Sequence, residues 1–235
     1  MPLTVGLLAK TAPAAFWAHF ELFSRPKLLE EVREEVEQNA LKVAPDGTHM
    51  IDLGYLRDNC PLLSITRSTT DKDNNGNDPV CYPECCSRKY FLKSGTMLFM
   101  PAKQLGRDES AWGNSAGEFN GRRSMRSTTA TENKGDMRKD PRRTGGFMAF
   151  GVSPSICAGR HGRHFATSEI LALVAMIALR YDIAPADRLW RAPQRMNSAT
   201  TSNMSPIDGT FPVTVKKRRK YEGKSWQFEI TEGKG

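Results

Sequence analysis

Residues 150–160 read FGVSPSICAGR, and an apolar run of ten residues, from Ile170 to Leu179, follows soon after. The stretch places one cysteine, Cys157, in a loop rich in turn-forming residues and shortly before a predicted helix. Backbone N–H groups at the N-terminus of a helix favour negative charge, and such a setting lowers the pKa of a thiol. The loop therefore predicts a thiolate that is suited to hold a metal ion.

The cysteine loop resembles the haem-ligand loop of the cytochrome P450 superfamily, whose pattern is F-x-x-G-x-x-x-C-x-G. Phe150, Cys157 and Gly159 stand at matching positions, whereas Ser153 replaces the first glycine of the pattern. The resemblance implies a haem b cofactor that contacts all three matching residues. Cys157 is then the axial thiolate ligand of the iron and donates electron density to it, and Phe150 shields the sulfur.

A second segment, AKTAPAAFW at residues 9–17, resembles the oxygen-binding kink in the long central helix of the same family, in its fungal and sterol-type branch. Pro13 lies inside a helix predicted over residues 3–23 and would leave the carbonyl of Ala9 without its helical donor. The resemblance gives Thr11 a catalytic role in proton delivery. The structural alternative is a Thr11 hydroxyl that only bonds to its own helix backbone.

Two departures from the family pattern concern the scaffold. Residues 56–63, LRDNCPLL, resemble the lead-in to the helix that carries the family's E-x-x-R motif, but the motif is absent there, and Glu30–Arg33 lies too early. Arg123, in FNGRR at residues 119–123, matches the arginine that this motif would hold. The chain also begins at the oxygen-binding helix, so we expect a truncated or misassembled member, with a catalytically inactive relic as the alternative to a working enzyme.

The predicted fold class is mainly α with small β elements, a partial cytochrome P450 fold running from the oxygen-binding helix through the haem-ligand loop to the last helix. It forms a single incomplete haem-thiolate monooxygenase domain over residues 1–235. Its predicted segments are helical residues 1–66, a divergent loop 67–89, short strands and a meander 90–146, the cysteine loop and a long helix 147–182, and a β region 183–235. Helices are predicted to start after Pro26 and to cover 52–65 and 165–181, and alternating apolar residues at 211–215 and 226–230 predict a closing hairpin.

The resemblance implies a monooxygenase that oxidises a lipophilic small molecule in fungal secondary metabolism. An NADPH-dependent flavoprotein reductase would supply the electrons, and the net charge of +8 suits an acidic partner. A zinc site built from Cys81, Cys85, Cys86 and the Cys157–His161 pair is a second reading, although its spacing is irregular. Basic runs such as residues 216–220 suggest nucleic acid, but few aromatic residues accompany them, so no nucleic-acid partner is predicted.

The five cysteines form no even framework and no signal peptide precedes them, which favours an intracellular protein with reduced thiols. The apolar run of ten residues is too short to span a bilayer. We therefore expect no membrane anchor in this chain, although a full-length relative is expected at the endoplasmic reticulum membrane.

Overall fold

The computed structural model describes residues 11–63, 80–81, 85–86, 91–92, 97–98, 109, 114–120, 159–195 and 206–231. Four α-helices are present there: α1 (Ala12–Phe23), α2 (Pro26–Asn39), α3 (Leu53–Asn59) and α4 (Gly159–Arg180). A short 3₁₀ helix covers Arg219–Tyr221. The strands are β1 (Leu41–Val43), β2 (His49–Asp52), β3 (Val80–Cys81), β4 (Cys85–Cys86), β5 (Phe91–Leu92), β6 (Met97–Leu98), β7 (Tyr181–Pro185), β8 (Val213–Lys217) and β9 (Trp226–Glu229).

The described strands form one three-stranded sheet and three strand pairs. In the larger sheet β2 is central, pairing antiparallel with β1 and parallel with β9, so that His49 lies opposite Trp226. The pairs are β3 with β6, β4 with β5, and β7 with β8, all antiparallel. The sheet therefore joins the segment after α2 to the last described strand of the chain.

The core lies where α1, α2 and α3 pack against α4. Helix α4 is apolar on most sides, as expected of a central helix. Buried core residues of α4 are Ile170, Leu171, Val174, Ala175, Ala178 and Leu179. Helix α2 is amphipathic instead, and it places Leu29, Val32 and Val36 on its buried side.

Helix α1 is fixed by its aromatic residues. Trp17 is 1% exposed, and the guanidinium carbon of Arg195 lies 3.6 Å from its ring centroid. Phe20 packs edge-on against the rings of Phe211 and Trp190. Aromatic pairs and cation–π contacts contribute about 0.5–2 kcal/mol each beyond area burial. The helix is thus anchored to the connection between β7 and β8.

Several sequence predictions about this architecture need correction. Residues 1–66 were predicted to be helical, but strands β1 and β2 lie among them. Helix α3 ends at Asn59 rather than at residue 65, because Pro61 disfavours the helical conformation for the residue before it. The closing hairpin is wrong: β8 pairs with β7, and β9 pairs with β2. The 3₁₀ helix and the turns after it separate the two strands by more residues than a tight hairpin loop contains. Two short strands, β3 and β4, lie inside the segment predicted to be a loop.

Candidate functional site

The cysteine loop stands immediately before α4 in the sequence. Phe150 and Cys157 lie outside the described residues, as do Ser153 and Arg123, while Gly159 is the first residue of α4. The helix thus begins six residues earlier than predicted, at the first of the two Gly-Arg-His copies. Cys157 is therefore two residues from the first turn of a 22-residue helix, whose N-terminal N–H groups and dipole favour a thiolate nearby.

Thr11 is the other predicted site residue, and it is buried. It is 6% exposed and immediately precedes α1, with helical backbone angles and no side-chain bond that caps the helix. Pro13 lies in the first turn of α1, directly after Thr11, whose own backbone is helical. Ala9, whose carbonyl the proline was predicted to free, lies outside the described residues.

His19 lies two turns further along α1 and takes part in packing. Its Nδ1 is 2.6 Å from the carbonyl oxygen of Ala15, within the same helix. Burial lowers the pKa of His19, so its ring is neutral at ordinary pH. His49 is the other histidine whose side chain the structure describes. Its ring contacts that of Tyr221 in the 3₁₀ helix and that of Trp226 in the sheet. Neither histidine received a functional role from the sequence, and both act here as packing residues.

Two arginines hold the C-terminal end of α4. Arg33, whose side chain is 6% exposed, donates from Nε to the carbonyl of Ala178 (2.8 Å) and from Nη2 to the carbonyl of Tyr181 (2.9 Å). The same Nη2 bonds to Asp182 (2.7 Å). Arg218 donates to the carbonyl of Leu179 at 3.0 Å. Cations at this end of a helix satisfy its unpaired carbonyls and its dipole, so α4 is fixed at the end opposite the cysteine loop.

Glu37 anchors the segment after β8 to helix α2. Its carboxylate accepts hydrogen bonds from Lys220 (2.5 Å) and from the hydroxyl of Tyr221 (2.6 Å). Partial burial on its own would raise the pKa of Glu37, but the bonds from Lys220 and Tyr221 outweigh it and leave the pKa lowered. The ionised carboxylate thereby joins α2 to the end of β8.

Asp52 organises the junction between β2 and α3. Its carboxylate is buried, caps α3 by accepting from Gly54 N–H (2.9 Å) and Tyr55 N–H (3.3 Å), and pairs with Lys42 Nζ at 2.9 Å. The hydroxyl of Thr231 also donates to it. Burial acts to raise its pKa, but the bonds from Lys42 and Thr231 outweigh burial and lower the pKa to about 2.

Cys60 is the cysteine whose side chain the structure describes, and it is a poor candidate for a metal ligand. Its thiol is fully buried, and burial together with the nearby Glu35 raises its pKa to about 12. Glu35 accepts hydrogen bonds from the N–H groups of Leu62 and Leu63, both at 3.0 Å. The described part of the chain contains no group of three or more histidine, cysteine or acidic side chains that could hold a metal ion.

Sequence reasoning did not find the role of Arg33. It noticed Glu30–Arg33 only as a motif in the wrong place, whereas the structure uses this arginine to cap a helix about 145 residues later in the chain. The available signal was a basic residue that shares the buried face of the helix with apolar residues: Leu29 lies four positions before it, Val32 one before and Val36 three after. Among the described residues, no helix combines the length and hydropathy needed to cross a bilayer.

Comparison with known proteins identifies relatives over nearly the whole chain. Cytochrome P450 monooxygenase nodJ of Hypoxylon pulicicidum is 32% identical over 239 residues, covering 97% of this chain and 45% of the relative. A cytochrome P450 monooxygenase of Gibberella zeae is 26% identical, covering 96% of this chain and 45% of its own length. The chain thus spans a little under half the length of these curated relatives.

A solved structure has the same arrangement of elements. A zebra fish cytochrome P450, in a structure with abiraterone, superimposes with a TM-score of 0.62 and 17% identity, covering 89% of this chain and 45% of that one. No protein-family model matches the sequence.

Proposed function

From the premise that this chain is a partial-length homologue of the cytochrome P450 monooxygenases and has part of their fold, we propose that it is a haem-thiolate monooxygenase-like protein. Its proposed substrate is a lipophilic small molecule of fungal secondary metabolism. Its proposed electron donor is an NADPH-dependent flavoprotein reductase. The single observation that carries the proposal is the start of α4 two residues after Cys157, in a chain related to P450 enzymes over 97% of its length.

Three residues are proposed to hold haem b. The thiolate of Cys157 would be the axial ligand, and Phe150 would cover the sulfur and exclude water from it. Gly159 has no side chain at the first position of α4, so backbone N–H groups there can approach the ligand closely. The haem, when bound, supplies the redox chemistry that activates O₂, and thiolate ligation favours cleavage of the O–O bond.

Thr11 is the proposed proton-handling residue. Its hydroxyl is buried at the start of α1, where few water molecules can compete with it for a hydrogen-bonded partner. A hydroxyl both donates and accepts, so Oγ1 can hold a proton from one side and pass one to the other. The packing of Trp17 against Arg195 keeps α1 in place while this occurs.

The proposed role of Cys157 is supported by the way the C-terminal end of α4 is held. Arg33 and Arg218 bind the last carbonyls of the helix, and its middle is buried against α1, α2 and α3. We infer that this packing steadies the helix whose N-terminal end follows the proposed ligand in the sequence.

The proposal is tested by a carbon-monoxide difference spectrum of the reduced chain, expressed with haem supplied. We expect a thiolate-type Soret band that disappears in Cys157→Ser. The matched control is Cys60→Ala, which also removes a thiol but should retain the band, because Cys60 is a buried thiol in the core. A band that survives Cys157→Ser would refute the ligand assignment. A histidine-type band in the wild-type chain would point instead to His161 or His164, and no band would favour the inactive relic.

The role of Thr11 is tested in a preparation that binds haem and consumes NADPH with a reductase. Thr11→Val should lower the product formed per NADPH and raise the peroxide released, whereas Thr11→Ser should preserve coupling because it keeps the hydroxyl. General acid–base assistance of this kind is worth on the order of 10²–10⁴-fold. Equal coupling in both variants would show that the hydroxyl only bonds to its helix.

A further inference from the structure

The sequence Asp-Gly-Thr occurs twice in the described chain, each time in a surface turn. Asp46 and Gly47 lie in the turn between β1 and β2, and Asp208 and Gly209 lie ahead of β8. All four residues are exposed, and both glycines have positive φ angles, +82° for Gly47 and +84° for Gly209. Because the two segments share their sequence and their glycine conformation, a difference in reactivity between them is expected to come from their hydrogen bonds.

An Asp-Gly peptide can rearrange with water as the only reagent. The backbone nitrogen of the glycine attacks Cγ of the protonated aspartate carboxyl, an N–Cγ bond forms, and the carboxyl hydroxyl leaves as water with the N–H proton. Water then opens the cyclic imide, a succinimide, at either carbonyl. Opening at Cγ restores aspartate, and opening at the backbone carbonyl leaves the main chain running through Cγ, which is isoaspartate. Glycine favours the attack because it has no Cβ to obstruct its nitrogen.

Both reacting groups of the first pair are held by hydrogen bonds. The N–H of Gly47 donates to the carbonyl of Ala44 at 2.9 Å. The carboxylate of Asp46 accepts from the N–H of Thr48 at 2.9 Å and from the hydroxyl of Thr48 at 3.0 Å. These bonds lower the pKa of Asp46 and so reduce the protonated form that the attack requires. The turn between β1 and β2 is therefore protected.

The second pair lacks this protection. Among the described residues, no group donates to the carboxylate of Asp208 or accepts from the N–H of Gly209, although Thr210 follows as Thr48 does in the first turn. The hydrogen bond that Asp208 does make uses its own N–H, which donates to the carbonyl of Gln194 at 2.7 Å. That bond leaves the carboxyl and the glycine nitrogen available to each other.

We propose that Asp208 is a site of spontaneous isomerisation to isoaspartate in the folded chain, through a succinimide formed with Gly209, and that the change weakens the packing of the following segment against α1. The reaction uses no residue of the proposed haem site, so it is tested independently of the proposed function.

The effect on α1 follows from the residues on either side of the pair. Ile207 packs against the core and forms a β-bridge with Arg195. The ring of Phe211 lies 5.5 Å from that of Phe20 in α1. Isomerisation inserts a methylene group into the main chain between Ile207 and Phe211. The two contacts are therefore not expected to keep their present spacing.

The test is incubation of the folded, full chain in heavy-oxygen water at mildly acidic pH. Each imide that hydrolyses leaves a heavy oxygen in its product, and peptide mapping by mass spectrometry locates it. We expect isoaspartate and heavy oxygen at Asp208 at a rate at least about tenfold above that at Asp46, where hydrogen bonds have to break first. In urea the two rates should converge, because the segments are identical. Equal rates in the folded chain, or no isoaspartate at Asp208, would overturn the proposal.

The variant Asp208→Glu keeps the charge but disfavours ring closure, because its side chain is longer by a methylene group. It should show no isomer at this position and a constant melting temperature, whereas the wild-type chain should lose at least about 2 °C as isoaspartate accumulates. The matched control, Asp46→Glu, should leave the rate at Asp208 unchanged. An equal fall in melting temperature in Asp208→Glu and wild type would overturn the effect on α1. Both replaced residues are exposed, and circular dichroism verifies that each variant is folded.

Discussion

Replacing Arg33 tests whether the clamp at the end of α4 holds the core together. Arg33→Ala removes a guanidinium that is 6% exposed and bonds to two backbone carbonyls and to two carboxylates, those of Glu30 and Asp182. The carboxylates are 56% and 58% exposed, so these two pairs contribute at most about 1 kcal/mol each. The two bonds to carbonyls are charge-assisted and lie on the buried side, where each is worth about 1.5–3 kcal/mol.

We expect Arg33→Ala to lower the free energy of unfolding by about 3–5 kcal/mol. This is less than the sum of the four contributions, because water reaches part of the space that the side chain leaves. Arg33→Lys should recover part of the loss, since an ammonium can reach one of the acceptors but not all of them. Urea denaturation followed by circular dichroism measures both values.

The control is Arg25→Ala, which also removes an arginine paired with a glutamate, Glu21, but from a side chain 41% exposed. Because Arg25 also lies over the ring of Phe119, the loss should be below about 2 kcal/mol. If Arg33→Ala and Arg25→Ala destabilise the chain equally, the clamp is not a stabilising feature and the burial argument is wrong. A change in the slope of the denaturation curve without a change in its midpoint would mean that the surface exposed on unfolding has changed, and would also refute this reasoning.

Three further predictions concern single residues. The pKa of Asp52 is lowered from 3.8 to about 2. Above pH 4 its ionised form therefore contributes about 2 kcal/mol to the free energy of unfolding, and this contribution is lost as pH falls through about 2. Acid titration of unfolding should therefore show a pH-dependent component that is missing in Asp52→Asn, and identical curves would contradict the assignment. Cys60, with a pKa of about 12, should resist alkylation at pH 8 in the native chain and react in urea, as measured by site-resolved mass spectrometry; fast native labelling would contradict its burial. Gly54→Ala would place a Cβ 2.5 Å from the carbonyl oxygen of Thr231, which is closer than such atoms approach. We expect it to lower the free energy of unfolding by about 1–3 kcal/mol, measured by thermal denaturation. An unchanged melting temperature would show that the chain after β9 shifts freely to make room.

The sequence allowed the helices to be predicted because their signals are local. Pro26 at the start of α2 and the spacing of Leu29, Val32 and Val36 on one face predict an amphipathic helix without knowledge of its partners. The same holds for α4, whose apolar run predicts burial wherever the helix packs. Its start was misplaced because a repeated Gly-Arg-His gives two equivalent beginnings, and only the surrounding structure selects one.

Strand pairing was harder, because alternation of apolar residues predicts a strand but not its neighbour. Residues 213–217 and 226–229 are strands, close to the predicted stretches 211–215 and 226–230. They do not pair with each other, since the first pairs with β7 and the second with β2. The ladder between His49 and Trp226 depends on contacts with Tyr221 that no local pattern encodes. The role of Arg33 was hard to predict for a similar reason. Its acceptors are backbone carbonyls, and because every residue has a carbonyl, the sequence does not indicate which ones it binds.

For the candidate site, the sequence predicted residue types and their order. Cys157, Phe150 and Gly159 were selected from one short motif, and the structure adds that a helix begins at the last of them. Thr11 is buried immediately before α1, a position compatible with both of the roles predicted for its hydroxyl. Their spatial relation to each other depends on long-range packing, which short motifs do not determine.

The parallel pairing of β2 with β9 has a consequence for biosynthesis. Ile51 and its neighbours emerge from the ribosome early, but their partner strand is made about 175 residues later, and Thr231, which bonds to Asp52, later still. Until then one edge of β2 exposes unpaired N–H and C=O groups, which are prone to pair with other chains. Production of this protein is therefore expected to depend on chaperones that protect that edge during translation.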